Sequence, residues 1–131
     1  MSLALHDGAE LVLERTWHTF QNHTVELAPA VHEVLEQAGQ PQLTAMAVSI
    51  GPGTYTGLRV GVALAKAMAS ARELPLVGLS TLAILAASQS PFQGTLVGVV
   101  QAGRSRIVTA SYQWRKGHWQ PKTEMELKSW Q

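Results

Sequence analysis

The stretch Val48-Ser49-Ile50-Gly51-Pro52-Gly53-Thr54-Tyr55-Thr56-Gly57-Leu58-Arg59 decides how the rest of the chain is read. It opens at the end of a short apolar run, Met46 to Ile50, that predicts a buried strand. It closes on a periodic segment that predicts a helix from about Leu58 to Arg72. A glycine loop between a strand and a helix start can offer backbone N–H groups to an anion, assisted by the helix dipole. Gly51, Gly53 and Gly57 permit close approach, Thr54 and Thr56 add hydroxyls, and Arg59 adds charge. With Pro52, these residues form a candidate nucleotide- or phosphate-binding loop. The Walker pattern fails because Leu58 follows Gly57, and the dinucleotide pattern fails because Thr56 stands where its third glycine belongs. A tight structural turn, in which the glycines only satisfy backbone geometry, is the competing reading.

The predicted helix carries Gly57, Gly61, Ala65 and Ala69 at intervals of four, a small-residue stripe on one face. Glycine inside a helix costs roughly 1 kcal/mol against alanine, so a contact should compensate. That contact is either packing within the domain or a subunit interface along Gly57, Gly61, Ala65 and Ala69, with the helix of residues 24–38 as a neighbour. Leu58, Val62 and Met68 are expected to face a sheet, and Arg59, Lys66, Ser70 and Glu73 to face water.

Working outward, Leu3–Leu5, the Asp7-Gly8 turn pair and the alternation of Leu11 and Leu13 predict a β-hairpin. Leu27, Ala28, Val31, Val34, Leu35 and Ala38 predict a helix over 24–38, stopped by Gly39 and Pro41. Pro29 belongs to its first turn or kinks it. Leu76–Leu79 and Leu96–Val100 predict buried strands, Thr81–Ser88 a helix, and Ile107–Trp114 a further strand. Beyond a Lys116-Gly117 turn, no pattern is legible. The order implies an α/β fold with a mixed sheet covered by helices.

Composition limits the function. Hydrophobic residues make up 46 % of the 131 residues and charged residues 15 %, so the chain should fold around a core. A net charge of +1 argues against a strongly basic nucleic-acid binder. Without cysteine there is no thiolate nucleophile or disulfide, which suits a reducing cytoplasm. Neither a signal peptide nor a membrane span is expected from Met1–Gly8 or from the apolar runs. His6, His18, His23, His32 and His118 lack metal-ligand spacing and are expected in surface or capping roles, with no metal site. Ser49, Ser70, Ser80 and Ser88 lie in no Gly-x-Ser-x-Gly elbow, so a peptidase reading has little support. The scattered Trp17, Trp114, Trp119 and Trp130 read as core or edge residues rather than base-stacking platforms.

The block from Ala47 to Ala69 closely resembles the signature of the TsaB (YeaZ-like) family. Leu74–Leu82, His23–Leu35 and Ala102-Gly103-Arg104-Ser105-Arg106 resemble further segments of that family in the same order. The resemblance implies an actin-like (ASKHA, ribonuclease H-like) fold lacking the family's first strand and most of its second subdomain. Residues 1–101 are then expected to be the N-terminal subdomain and 102–131 the start of the second. It also implies a non-catalytic scaffold, in the cytoplasm, that homodimerises when alone. Its expected partners are TsaD, which transfers threonylcarbamoyl to tRNA adenosine (the t6A modification), and the ATPase TsaE, with tRNA met only through the complex. Thr81 and Leu85 stand where TsaD-like proteins carry a His-x-x-x-His metal motif. The competing functions are an ATPase-like domain binding ATP or ADP, alone or at a subunit interface, and a peptidase or chaperone-like protein.

Overall fold

The computed structural model describes residues 1–20, 22–103 and 105–130. Arg104, in the segment compared with the family's second subdomain, lies outside the described residues. The chain opens with strands β1 (Ser2–His6) and β2 (Leu11–Thr16), paired antiparallel with Leu3 opposite Arg15. Asp7 makes the turn: its Oδ1 accepts the N–H groups of Ala9 and Glu10, each at 2.8 Å. The Glu10 and Ala9 donors hold its carboxyl below the ordinary value.

Helix α1 (His23–Gln37) follows. Leu27, Ala30, Val34 and Leu35 are its buried residues. Ala28, expected on that face, is exposed; Ala30, three residues from Leu27 and four from Val34, takes its place. Pro29 sits inside the helix on its exposed side, so its missing N–H leaves the buried face intact. The helix ends where Gly39 turns left-handed at φ +78 and the Gln40 N–H reaches the Leu35 carbonyl at 2.8 Å. An Arg15–Glu33 ion pair ties the hairpin to α1.

Strand β3 (Met46–Gly51), helix α2 (Tyr55–Ala71) and β4 (Leu76–Ser80) form a βαβ unit in which β3 and β4 are parallel. Helix α3 (Thr81–Ala87) then leads to β5 (Thr95–Gln101), β6 (Arg106–Arg115), β7 (His118–Pro121) and β8 (Glu126–Ser129). These last four make an antiparallel sheet. β5 occupies one edge of β6, while β7 and β8 share the other, along Tyr112–Arg115 and Arg106–Thr109.

The expected mixed sheet is thus divided among three sheets: β1-β2, β3-β4 and the four-stranded one. β5 and β6 pair with each other across residues 101 and 102. The best-formed core lies between α3 and the four-stranded sheet. Leu82 is 0 % exposed and packs with Ala86, Ala110, Tyr112 and Trp119. Burial raises the Tyr112 hydroxyl's pKa above its ordinary value. Trp119 donates its indole N–H to the Gln89 carbonyl at 3.1 Å and meets Trp114 edge-on, with ring centroids 5.5 Å apart. A Cβ on Gly98 would stand 3.0 Å from Leu82 Cδ2, so that glycine lets α3 settle onto β5.

Candidate functional site: a glycine loop beside an interstrand cleft

β3 delivers the chain into the loop at Gly51, and Thr54, with extended backbone, turns it into α2. Gly51 has φ +105, and a Cβ there would lie 3.1 Å from Leu58 Cδ1. At Gly53 a Cβ would also meet Leu58, at 3.7 Å. The loop therefore closes over the Leu58 side chain. At Gly57 a Cβ would lie 2.8 Å from Thr54 Oγ1 and 3.5 Å from the His23 ring. Contacts within the chain thus account for glycine at positions 51 and 57, which supports the structural-turn reading of the loop.

The other candidates separate. Thr56 is exposed, and Arg59 lies over the exposed Tyr55 ring, 5.2 Å from its centroid, with Nη1 3.4 Å from the Tyr55 hydroxyl. Pro52, Gly53, Thr54 and Gly57 instead line a cleft of about 1330 Å³. That cleft runs between β1 and β3 over a floor supplied by α1 and α2. The stripe on α2 turns the same way: Gly57, Gly61 and Ala65 line the cleft, and Ala65 and Ala69 are buried. Arg59, Lys66, Ser70 and Glu73 are all exposed.

Several features of the cleft were not legible in the sequence. His23 opens α1, and its ring is brought against Gly57; its Nδ1 is buried without a hydrogen-bond partner. Of the five histidines it departs most from the expected surface or capping role. His6 Nδ1 accepts the Gly8 N–H at 2.9 Å, and His32 lies 3.3 Å from Glu36. Beside His23, Glu26 is held below the ordinary carboxyl value, first by Thr19 and next by the Trp17 indole, which donates to it at 3.1 Å. Thr19 Oγ1 itself is buried without a hydrogen-bond partner. Near the C-terminal end of β3, Ser49 Oγ and Thr81 Oγ1 share a 2.8 Å hydrogen bond. Leu85, one turn further along α3, is 43 % exposed. No group of metal-ligating side chains forms among the described residues. No helix among them is long and apolar enough to cross a membrane.

The family model described as TsaD, tRNA N6-adenosine threonylcarbamoyltransferase, matches residues 18–126. The tRNA threonylcarbamoyladenosine biosynthesis protein TsaB of Bacillus subtilis is 35 % identical over 119 residues, 89 % of this chain and 52 % of that protein. TsaB of Escherichia coli K12 is 32 % identical over 97 residues, 71 % of this chain and 42 % of that protein. Among solved structures, YeaZ from Pseudomonas aeruginosa superposes with a TM-score of 0.84 at 27 % identity, covering 96 % of this chain and 61 % of that one. The chain spans about half the length of the curated relatives it matches. With its partial actin-like α/β domain, the chain belongs to the TsaD family, as a TsaB/YeaZ-like member of the TsaD/glycoprotease superfamily.

Proposed function

We propose that this chain acts in threonylcarbamoyladenosine biosynthesis on tRNA as a non-catalytic interaction subunit, homodimeric alone and pairing with TsaD, in the cytoplasm. The observation that carries the reading is family membership together with the chemistry at positions 81 and 85. Thr81 is engaged with Ser49, and Leu85 offers no donor atom, so this pair cannot act as the paired imidazoles that the resemblance assigns to TsaD-like proteins. TsaE and tRNA then join through the complex. The subunit contact uses the accessible part of the Gly57, Gly61, Ala65 and Ala69 stripe, Ala65 and Ala69 themselves being buried within the chain. That part is open at Gly61, since nothing lies within 4 Å of a Cβ placed there.

Reconstituted modification of tRNA tests this reading. The chain adds no transferase activity by itself and raises the output of TsaD. Gly61→Leu, which fills the open position of the stripe, abolishes that increase. An unchanged TsaD rate with and without the chain would overturn the reading.

A further inference from the structure

From Leu74 to Thr123 the chain carries five Lys or Arg and no Asp or Glu, a bias that the overall charge of +1 conceals. Three of those cations, Arg115, Lys116 and Lys122, lie on the β6–β7 hairpin or directly after it. All three are exposed, and among the described residues none of them pairs with a carboxylate. Strand register gathers their neighbours on one face of the sheet. Gln113 stands opposite Thr95 on β5 and Gln120 on β7, and Arg115, two residues further on, stands opposite His118. Arg115 Nη2 donates to Gln113 Oε1 at 2.8 Å, and Lys122 Nζ donates to Thr95 Oγ1 at 3.3 Å. The two cations therefore flank Gln113, one along its own strand and one across on β5. With its Oε1 engaged, Gln113 keeps its NH2 donors for a ligand.

Gln113 also forms the rim of a cavity of about 330 Å³ that Pro91, Phe92, Gln93, Gly94 and Trp114 complete. That is the small end of ligand pockets, room for a single ring system. Phe92 rests on Trp119, with ring centroids 4.9 Å apart and planes tilted by 58°, yet is 45 % exposed. Gly94 lets the ring settle there, since a Cβ on it would stand 3.2 Å from Phe92 Cε2. An exposed aromatic ring, two carboxamides and flanking cations meet in one place. That set matches an unpaired nucleotide: the ring stacks on its base, an amide meets the base edge and the cations meet the phosphates.

We propose that this cavity takes one unpaired nucleotide of an RNA strand, its base against Phe92 and its flanking phosphates at Arg115 and Lys122. Cations on both sides of Gln113 suit a backbone that enters and leaves, which a free mononucleotide does not have. An acidic peptide would meet the cations and leave the Phe92 ring without a stacking partner. This deepens the subunit reading above and rests on it, by giving the chain a contact of its own with the tRNA that the complex brings.

The probe is a fluorescein-labelled single-stranded RNA of about eight nucleotides, mixed in sequence and read by anisotropy against the chain. Binding is expected at low salt, with log affinity falling against log salt at a slope of about −1.4 for two phosphate contacts. Arg115→Gln and Lys122→Gln each weaken binding and flatten that slope by about 0.7. Phe92→Leu keeps an apolar side chain on Trp119 but removes the stacking face, so it weakens binding roughly fivefold or more and leaves the slope unchanged. Gln113→Ala, on the sheet surface, also lowers affinity at constant slope and serves where Phe92→Leu does not fold. Affinity untouched by both Phe92→Leu and Gln113→Ala means charge attraction alone and overturns the proposal. So does equal binding of the same sequence as a duplex or of a glutamate homopeptide, and so does no binding at low salt. Displacement of the RNA by an equal concentration of AMP overturns the choice of RNA over a free nucleotide. Assaying TsaD stimulation on the same samples separates the two readings: stimulation without RNA binding rejects the site alone, and RNA binding without stimulation rejects the subunit function alone.

Discussion

Gly57 has the Thr54 hydroxyl where its own side chain would begin, 2.8 Å from the Cβ position. One turn along the same helix, Gly61 has nothing within 4 Å of that point. Two glycines of one stripe therefore predict opposite responses to alanine. At Gly61 the gain is helix propensity alone, about 1 kcal/mol. At Gly57 the same gain is outweighed by overpacking of about 1–3 kcal/mol against Thr54 and His23. Gly61→Ala raises the melting temperature by about 3–4 °C and Gly57→Ala lowers it by a similar amount, as thermal unfolding will read. Thr54→Ala combined with Gly57→Ala recovers most of that loss.

Leu82 is the side chain most fully enclosed, held between α3 and β5 where Gly98 lets the two elements meet. Leu82→Ala should cost about 3 kcal/mol, transfer and cavity terms together, in urea unfolding. Substituting the half-exposed Ile84 or Leu85 of the same helix should cost well under half as much.

Acid should loosen the hairpin's attachment to α1. Glu26 is held below its ordinary value of 4.5 by Thr19 and Trp17, so its folded form favours the ionised carboxylate. Its contribution is fully present above that ordinary value and is lost as pH falls through the lower folded value. Asp7 acts in the same direction through the Glu10 and Ala9 amides. Urea midpoints measured from pH 6 to pH 3 should fall for the parent chain, and less steeply for Glu26→Gln. An identical slope in the two proteins would show that Glu26 carries none of the effect.

The sequence made the βαβ centre legible and hid what depends on distant approach. β3, the loop and α2 were all readable, although α2 begins at Tyr55 rather than Leu58. Weak helix formers at 55–57 favoured extending the loop, and Thr54, with extended backbone, instead starts the helix directly after itself. β7 and β8 gave no signal because they are four residues long, and Glu126–Ser129 is exposed throughout. Trp119 becomes core only through the register of β7 on β6 and its contacts with α3. The single mixed sheet was an inference from element order, and its division at β1 and β3 accords with the lack of the family's first strand that the resemblance implies. His23 could not be singled out, because Gly57, 34 positions further on, is what reaches its ring.

Light scattering of the chain alone, and then mixed with TsaD, tests the central claim most directly. The account predicts a homodimer that gives way to a one-to-one heterodimer when TsaD is added, and that Gly61→Leu fails to make. Two components that elute at their separate masses in every mixture would contradict it.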